Sequence, residues 1–501
     1  MALGGTAIAS GRAEPEHTHR TNAEYEQEEC KQGTVVQAKY RGTTADQREM
    51  HALGRVQELQ RNFKFVSVLG FGCTLIGTWE FFLGLIAFGL TDGGTAGLIY
   101  GFLVVLAGFM CVYLSIAEMA SMAPTSGGQY HWVSQFAPPS AQKYLSYISA
   151  GTIIQGLIVL NDSSYSPQPY QGMLLVWAVT VFCILFNVFL ARRLPFVEGV
   201  LLIIYIVGFF VIIIPLWVLA PRADARTVFT TFNNAGGWNS KVHMAEEIKD
   251  SSKTLPEAIV YGVIVNGVMG LVMVITMCFT LGDPESILST ATGYPFIQVF
   301  FNATKSYAAT NVMTAIIIIV FTSAVISEIA TSSRQLWSFA RDGGFPCSAF
   351  IAKISRSQSI PLNAILVSLA IVMLISLINL GSAVALNAIN SLTISALMSS
   401  YILTISCVLY KRLRKEPLPA RRWTLGRYGM AVNIGAMVFL LPMFVFAFFP
   451  LATPVSPASM NWGSVMFFGI VGLATLYYYL WGHKYYTPPV LIMQTRDSYE
   501  M

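Results

Sequence analysis

From residue 65 onward the chain is dominated by ten apolar runs of bilayer-spanning length: 65–90, 97–122, 172–191, 194–220, 256–281, 310–333, 361–380, 383–409, 430–450 and 460–481. A helix needs roughly 20 apolar residues to cross the hydrocarbon core. An eleventh run, 144–160, is short and carries Ser146, Ser149 and Thr152. Within lipid the backbone must bond to itself, which leaves helices or closed barrels. Barrel strands would be about 10 residues long with strict alternation, so these runs predict an all-α, polytopic membrane bundle. Charge agrees with this: 11% of the 501 residues are charged, against about 25% in soluble domains.

The formal charge of +5 is too small to be a nucleic-acid signature. Its placement in the loops sets orientation, because lysine and arginine accumulate on the cytoplasmic side. Arg61 and Lys64 precede the first run, and Arg192 and Arg193 separate 172–191 from 194–220. Arg334, Arg341, Lys353 and Arg356 follow 310–333, and Lys411, Arg412, Arg414, Lys415, Arg421, Arg422 and Arg427 follow 383–409. Segments 91–96, 161–171 and 451–459 have no basic residue. Both termini are therefore expected in the cytoplasm: a disordered tail over 1–62, a transmembrane domain over 63–485 and a tail over 486–501. Alternation fails once. Run 194–220 should end outside and 256–281 should begin inside, yet 221–254 holds no run able to span. Either a crossing is missing there, or 144–160 does not span and Arg192–Arg193 face outward. The first reading breaks no charge rule and is favoured.

The seven cysteines are scattered, without CxxC spacing, and read as small hydrophobes. No glycine loop with a lysine is present, so ATP does not drive the protein directly. No intramembrane His/Asp/Glu cluster suggests an enzyme. His243, Glu246 and Glu247 in 'VHMAEEIKD' lack a recognised zinc spacing, and neutralisation by Lys249 and Lys253 accounts for them. No metal or cofactor is expected.

Several stretches carry a family resemblance: 'ALGRVQELQRNF' (52–63), 'LGFGCTLIGTWE' (69–80), 'AEMASMAPTSGGQYHWVSQFAP' (117–138), 'VHMAEEIKD' (242–250), 'TGYPFIQVFFNAT' (292–304), 'SSRQLWSFARDGGFP' (332–346) and 'IPLNAI' (360–365). The chain resembles the fungal amino acid/choline transporters, γ-aminobutyrate and choline permeases among them, of the amino acid–polyamine–organocation superfamily. The resemblance implies a leucine-transporter-like bundle of two inverted five-helix repeats, with helices one and six broken near the midplane. It implies a secondary active permease for amino acids, γ-aminobutyrate or choline. An ion gradient would drive it, H⁺ ahead of Na⁺, at the plasma membrane or alternatively the vacuolar membrane. A transport-inactive sensor or interacting subunit is the alternative.

Gly70, Gly72 and Gly77 punctuate the first run. Each weakens a helix by about 1 kcal/mol and lets backbone approach a ligand closely; close helix packing is the competing explanation. The resemblance assigns the substrate cradle to Gly72, Cys73, Thr74, Ile76, Gly77 and Thr78. Glu80 follows, an ionisable group at depth that would face a cationic substrate or carry a proton, unless it is merely hydrated near the outer end. Glu118 with Gly127 and Gly128 resembles an inner-gate turn, with a plain interhelical turn equally compatible. Glu198 and Glu328 are expected to pair with nearby arginines or to reach toward the cytoplasm. The superfamily's buried fifth-helix lysine finds no counterpart in 194–220. Asn302 opens a glycosylation sequon in a segment read as an outer loop.

Two stretches of the family pattern are absent. Ser149 abuts Ala150 where part of helix three should continue, and Lys241 follows Ser240 where helix six should lie. Both flanks of each gap match the family, so we read the chain as an imperfect gene reading or splice form of a working permease, and as written it would transport poorly. Sequencing the transcript across codons 149–150 and 240–241 is expected to recover an insert at each junction; a transcript lacking both refutes this.

Overall fold

A computed structural model describes residues 42–52, 61–126, 128–136, 169–190, 193–232, 251–288, 290, 294–355, 360–376, 383–450, 455–456 and 460–488. The run 144–160, the segment 242–250, Gly127, Arg192 and both junctions lie outside the described residues. The elements are α1 (Thr44–Ala52), α2 (Phe65–Ile76), α3 (Thr78–Met122), α4 (Gln129–Phe136), α5 (Pro169–Phe189), α6 (Leu194–Leu219), α7 (Ala225–Thr230), α8 (Ser251–Thr280), α9 (Pro284–Leu288), α10 (Pro295–Thr304), α11 (Tyr307–Arg341), α12 (Ser348–Ile351), α13 (Leu362–Ser376), α14 (Ala383–Leu413), α15 (Gly429–Phe446) and α16 (Gly463–Tyr477). Among the described residues, eight helical segments are long and apolar enough to cross a membrane.

The first two runs are divided differently from their apolar limits. Gly77, with φ 49° and ψ 41°, separates α2 from α3. Gly94, with φ 65° and ψ −172°, then interrupts α3 where the outer turn was expected. Only glycine enters such backbone regions without penalty. The amide freed at that turn is recaptured: Ala96 N–H donates to Thr231 O at 3.0 Å, and the Thr95 hydroxyl donates to Val228 O at 2.9 Å.

The outer end of α6 and the short α7 therefore sit beside the Gly94 turn. Ala223 N–H donates to Phe279 O at 2.8 Å, which brings the end of α8 to the same face. The beginning of α8 lies at the opposite face. The Arg61 guanidinium donates to Ser251 Oγ at 3.0 Å, and the Ser121 hydroxyl donates to Ser252 O at 2.6 Å. Phe232 and Ser251 thus stand on opposite sides of the bundle, and 233–250 joins them without an apolar run of spanning length. This favours the missing-crossing reading and leaves Arg193 on the same face as Ser251. Arg222 and Arg226 stand on the opposite face, which the loop charges assign to the outside, and the charge bias is a sum over loops rather than a rule for each residue.

The tail expected to be disordered contains an ordered helix. Thr43 and Asp46 form a capping box around the start of α1, with Asp46 N–H donating to Thr43 Oγ at 3.2 Å and Thr43 N–H donating to Asp46 Oδ2 at 2.8 Å. Asp46 then pairs with Arg61 at 2.7 Å, both fully buried, while Met50 enters the protein interior. Glu49 accepts from the Ser252 hydroxyl. Burial pushes the Glu49 carboxyl above its ordinary range, opposed by that hydroxyl and by Arg61 and Arg422.

Buried side chains gather mainly in two clusters. One holds Phe63, Phe71, Leu75, Met119, Trp132, Leu397 and Tyr401, and the other holds Cys73, Trp79, Leu83, Tyr205, Phe209 and Met273. The α2–α3 break lies where they meet. Phe196, Ile203, Phe210, Trp217 and Val218 stay exposed on α6, as do Val465, Phe468 and Leu473 on α16. Such faces suit lipid rather than water. If the two faces are assigned correctly, a membrane-impermeant thiol reagent added to intact cells labels Asp224→Cys and leaves Lys253→Cys unlabelled until the cells are permeabilised. Equal labelling of both would refute the topology.

Candidate functional site

The break between α2 and α3 is a site because of what it does to the backbone. Helix termini leave amide and carbonyl groups without helical partners, and these lie here within a membrane-spanning segment. Gly77 N–H still donates to Cys73 O at 3.0 Å, closing α2. The first amide of α3 has no upstream carbonyl, and Thr78 N–H donates instead to Asn266 Oδ1 on α8 at 3.2 Å. The Tyr205 hydroxyl on α6 donates to the same oxygen at 2.6 Å, and Asn266 Nδ2–H donates to Gly262 O at 2.9 Å. Asn266 is thereby an external cap, held from two sides. It was missed in the sequence, although it is the lone amide in the apolar run 256–281.

The three glycines have three different jobs. A Cβ on Gly70 would stand 2.4 Å from Glu198 O, so this glycine allows α2 and α6 to touch backbone to backbone. Gly77 supplies the left-handed turn, and a Cβ there would meet the Phe81 ring at 2.4 Å and Glu80 Oε1 at 3.0 Å. Gly72 alone faces open space, with nothing within 4 Å of an added Cβ. The close-packing explanation therefore fits Gly70, and the backbone-exposure explanation fits Gly77.

Glu80 sits in the first turn of α3, fully buried, with its carboxylate folded back over Gly77. The Tyr205 hydroxyl and the Glu80 backbone amide lie beside the carboxyl group, and neither reaches good hydrogen-bond geometry with it. Cys73 and Tyr205 lie beside it. Trp79 packs against Tyr205 and Phe209 with ring centroids 5.5 and 5.7 Å apart, walling one side, and Phe81 packs on Phe321 at 5.0 Å. The reading of Glu80 as hydrated near the outer end is corrected: it is enclosed by apolar and aromatic side chains. The positive end of the α3 dipole favours an acid in this turn, which explains how a carboxylate is tolerated at such depth.

Thr74 departs from the expected cradle. Its hydroxyl lies 3.2 Å from Gly70 O and 3.1 Å from Phe71 O, and 3.5 Å from both Glu198 Oε2 and Ser327 Oγ. Ser327 on α11 donates to Glu198 Oε1 at 2.8 Å. Glu198 was expected to pair with arginine. It is instead fully buried and bonded to hydroxyls, because α2 and α11 close over it one turn inside α6. Glu328 is also buried. Ile76 and Thr78 flank the break and are partly exposed, whereas Cys73 is buried.

Glu118 is a structural knot at the inner end of α3. It pairs with Arg412 of α14 and with Arg421 at 3.2 Å, and it accepts from the Thr424 hydroxyl at 3.0 Å and Leu425 N–H at 3.2 Å. Gly128 has φ 51° at the turn into α4, with its N–H donating to Thr125 O at 3.2 Å. Asn302 lies on helix α10 rather than in a loop, because Pro295 starts a helix that continues to Thr304. Its side chain accepts from Gln298 Nε2 at 3.0 Å.

A bundle of apolar helices, its first span interrupted around a capped backbone turn, defines a membrane solute carrier. A sequence profile of the amino acid permease family matches residues 63–473. The choline transporter of Saccharomyces cerevisiae is 27% identical over 485 aligned positions, covering 89% of this chain and 84% of its own length. Amino-acid permease 2 of Neurospora crassa is 26% identical, covering 89% and 90%, and an amino-acid permease of Arabidopsis thaliana is 27% identical, covering 87% and 95%. The chain belongs to the amino acid permease family. It is an all-α, multi-pass membrane transporter of amino compounds and not an enzyme, and the transport-inactive alternative is not favoured. The 485 aligned positions exceed 89% of 501 residues, so part of the yeast relative has no counterpart in this chain.

If Gly77 is required by its backbone and Gly72 by its open surroundings, the two respond differently to substitution. Gly77→Val loses thermal stability in detergent, since a left-handed non-glycine residue costs about 1–2 kcal/mol before the clash with Phe81 is added. Gly72→Ala melts as the parent does. Equal melting of the two variants would refute the distinction.

Proposed function

We propose that the protein imports a small amino compound with a cationic head group across the plasma membrane, driven by an ion gradient in which H⁺ ranks ahead of Na⁺. The observation that carries this reading is Glu80, a buried carboxyl group without a cationic partner among the described residues, folded over the broken turn. A half-helix N-terminus ordinarily attracts the anionic end of a substrate. Here the first free amide is already occupied by Asn266, and Glu80 places at the same turn a carboxyl group that ionises when a cation accompanies it. That balance favours an ammonium group over a carboxylate at this point. Aromatic faces stabilise such a cation by about 0.5–2 kcal/mol, and Trp79, Phe81 and Tyr205 supply them nearby.

The backbone of Gly72, Cys73, Ile76, Gly77 and Thr78 forms the remainder of the proposed cradle. The name of the yeast relative, a choline transporter, is consistent with a cationic head. Amino-acid permeases among the other relatives keep zwitterionic substrates in view, whose ammonium end meets the same requirement.

The test is uptake of radiolabelled choline, γ-aminobutyrate and a panel of amino acids in a permease-deficient yeast host. With the segments expected at 149–150 and 240–241 restored, at least one labelled compound accumulates above the empty-vector level, and Glu80→Gln reduces that uptake at least ~10-fold, the equivalent of one lost charged contact. Asn266→Ala lowers uptake less, because it removes the cap and not the charge. Uptake undiminished in Glu80→Gln would refute the cationic-head reading.

A further inference from the structure

The connection between α14 and α15 carries more net charge than the rest of the chain. Residues 411–428 contain seven lysines and arginines and one acid, Glu416, a net of +6; the whole protein carries +5, which leaves −1 for the remainder. The apolar spans Ser391–Leu413 and Gly426–Phe446 both end at this connection, so it lies where the chain leaves the hydrocarbon. It belongs to the face of Ser251, because Ser121 accepts from the amides of Arg422 and Trp423 and donates to Ser252 O. Loop charge assigns that face to the cytoplasm.

Two of the seven cations serve the fold, since Arg412 and Arg421 pair with Glu118. A Cβ on Gly429 would collide with the Arg412 guanidinium, so the end of α14 touches the start of α15. Ser406 Oγ and Met437 Sδ, 3.6 Å apart, continue that contact along an antiparallel hairpin. Arg414, Lys415 and Arg427 stand at its tip, exposed and without an acidic partner among the described residues. Arg414 stacks on Tyr410 at 4.9 Å and Arg427 on Tyr428 at 4.8 Å, and Arg427 Nη2 donates to the Tyr428 hydroxyl at 2.7 Å. Stacking holds a guanidinium by its face and leaves N–H edges directed at an anion. Tyr410, Leu413 and Tyr428 are themselves exposed, Leu413 by 65%.

Two of the three free cations occupy positions where the fold alone would choose another residue. Lys415 closes α14 with φ 57°; its N–H donates to Arg412 O at 3.1 Å and Glu416 N–H donates to Lys411 O at 2.9 Å. Glycine takes this Schellman position freely. The negative end of α14 welcomes a cation, but it does not require one in a left-handed conformation. Arg427 lies in the 3₁₀ turn Gly426–Tyr428 that leads into α15, where the helix dipole favours an anion and opposes a cation.

We propose that Arg414, Lys415 and Arg427 form a binding site for the phosphate-bearing headgroup of an anionic phospholipid in the cytoplasmic leaflet. The two guanidinium groups and the ammonium meet the phosphate oxygens at the hairpin tip, and the exposed Tyr410, Leu413 and Tyr428 lie against the glycerol and the upper acyl chains. Those apolar side chains select a lipid over a soluble anion or an acidic protein, because a lipid brings an apolar chain to the same place as its charge. Glu416 is exposed beside Lys415 and opposes the anion without cancelling three cations. Arg412 links the tip to Glu118 on α3, so a bound headgroup stiffens the hairpin against α3.

The full chain, purified in detergent and stripped of lipid, is titrated with dioctanoyl phosphatidylinositol phosphate and with dioctanoyl phosphatidylcholine, binding being read by thermophoresis and by melting temperature. The phosphoinositide is expected to bind saturably, at least ~10-fold more tightly than phosphatidylcholine, more weakly as salt is raised, and to raise the melting temperature. Lys415→Gly and Arg427→Glu each relieve a local conflict in the fold, so without lipid they melt no lower than wild type, yet each weakens phosphoinositide binding at least ~5-fold. Arg222→Gln, on the opposite face, leaves binding unchanged. Equal affinity for the two lipids overturns the proposal, as does wild-type binding in both Lys415→Gly and Arg427→Glu. Lower melting of both variants together with lost binding also overturns it, since the two positions would then serve the fold. Soluble inositol bisphosphate or polyglutamate binding as tightly as the phosphoinositide overturns the choice of a lipid.

Discussion

Inside a bilayer an unbonded peptide group costs several kcal/mol, and the interruption at Gly77 creates such groups in a membrane-spanning segment. The rest of the described bundle can be read as the means of tolerating that interruption. Asn266 supplies the missing acceptor for Thr78, Tyr205 fixes Asn266, and the α3 dipole offsets the charge of Glu80. The elements involved come from distant parts of the chain, and each is held by apolar packing on either side of the break. A continuous helix at 65–90 would need none of them.

A second polar assembly governs the inner face. Asp46 and Arg61 are paired out of contact with water, and the same arginine reaches Ser251. Ser121 accepts from the amides of Arg422 and Trp423 while donating to Ser252 O. Glu118 gathers Arg412 and Arg421. Breaking a buried pair by removing one partner strands the other charge, at about 3–5 kcal/mol. The inner ends of α2, α3 and α8 are therefore tied to α1 and to the loop after α14, and movement of one must be felt by the others.

The passage between Phe232 and Ser251 is the unusual part of the molecule. Elsewhere the alternation of faces follows apolar runs. Here the chain changes face across a segment with glycine, asparagine, lysine and glutamate. The family resemblance implies a broken helix at this point. The turn between α2 and α3 is assembled without it, because its caps come from α6 and α8.

The sequence by itself determined the membrane and the helices, because spanning length is a local quantity, and loop charge gave an expected orientation. It also pointed to a break somewhere among Gly70, Gly72 and Gly77, since glycine enters a left-handed turn freely, and it marked Glu80 as an ionisable group in the same run. It did not distinguish Gly70 from Gly72 and Gly77, which look alike as letters and differ only in what lies opposite. Asn266 and Tyr205 were invisible for the same reason: each belongs to another apolar run, and a cap borrowed from a distant helix leaves no mark on spacing. Glu198 was misread as an arginine partner because its sequence neighbours are basic, whereas its spatial neighbours are hydroxyls on α2 and α11. Which polar group meets which, across helices hundreds of residues apart, was decided only when the helices packed.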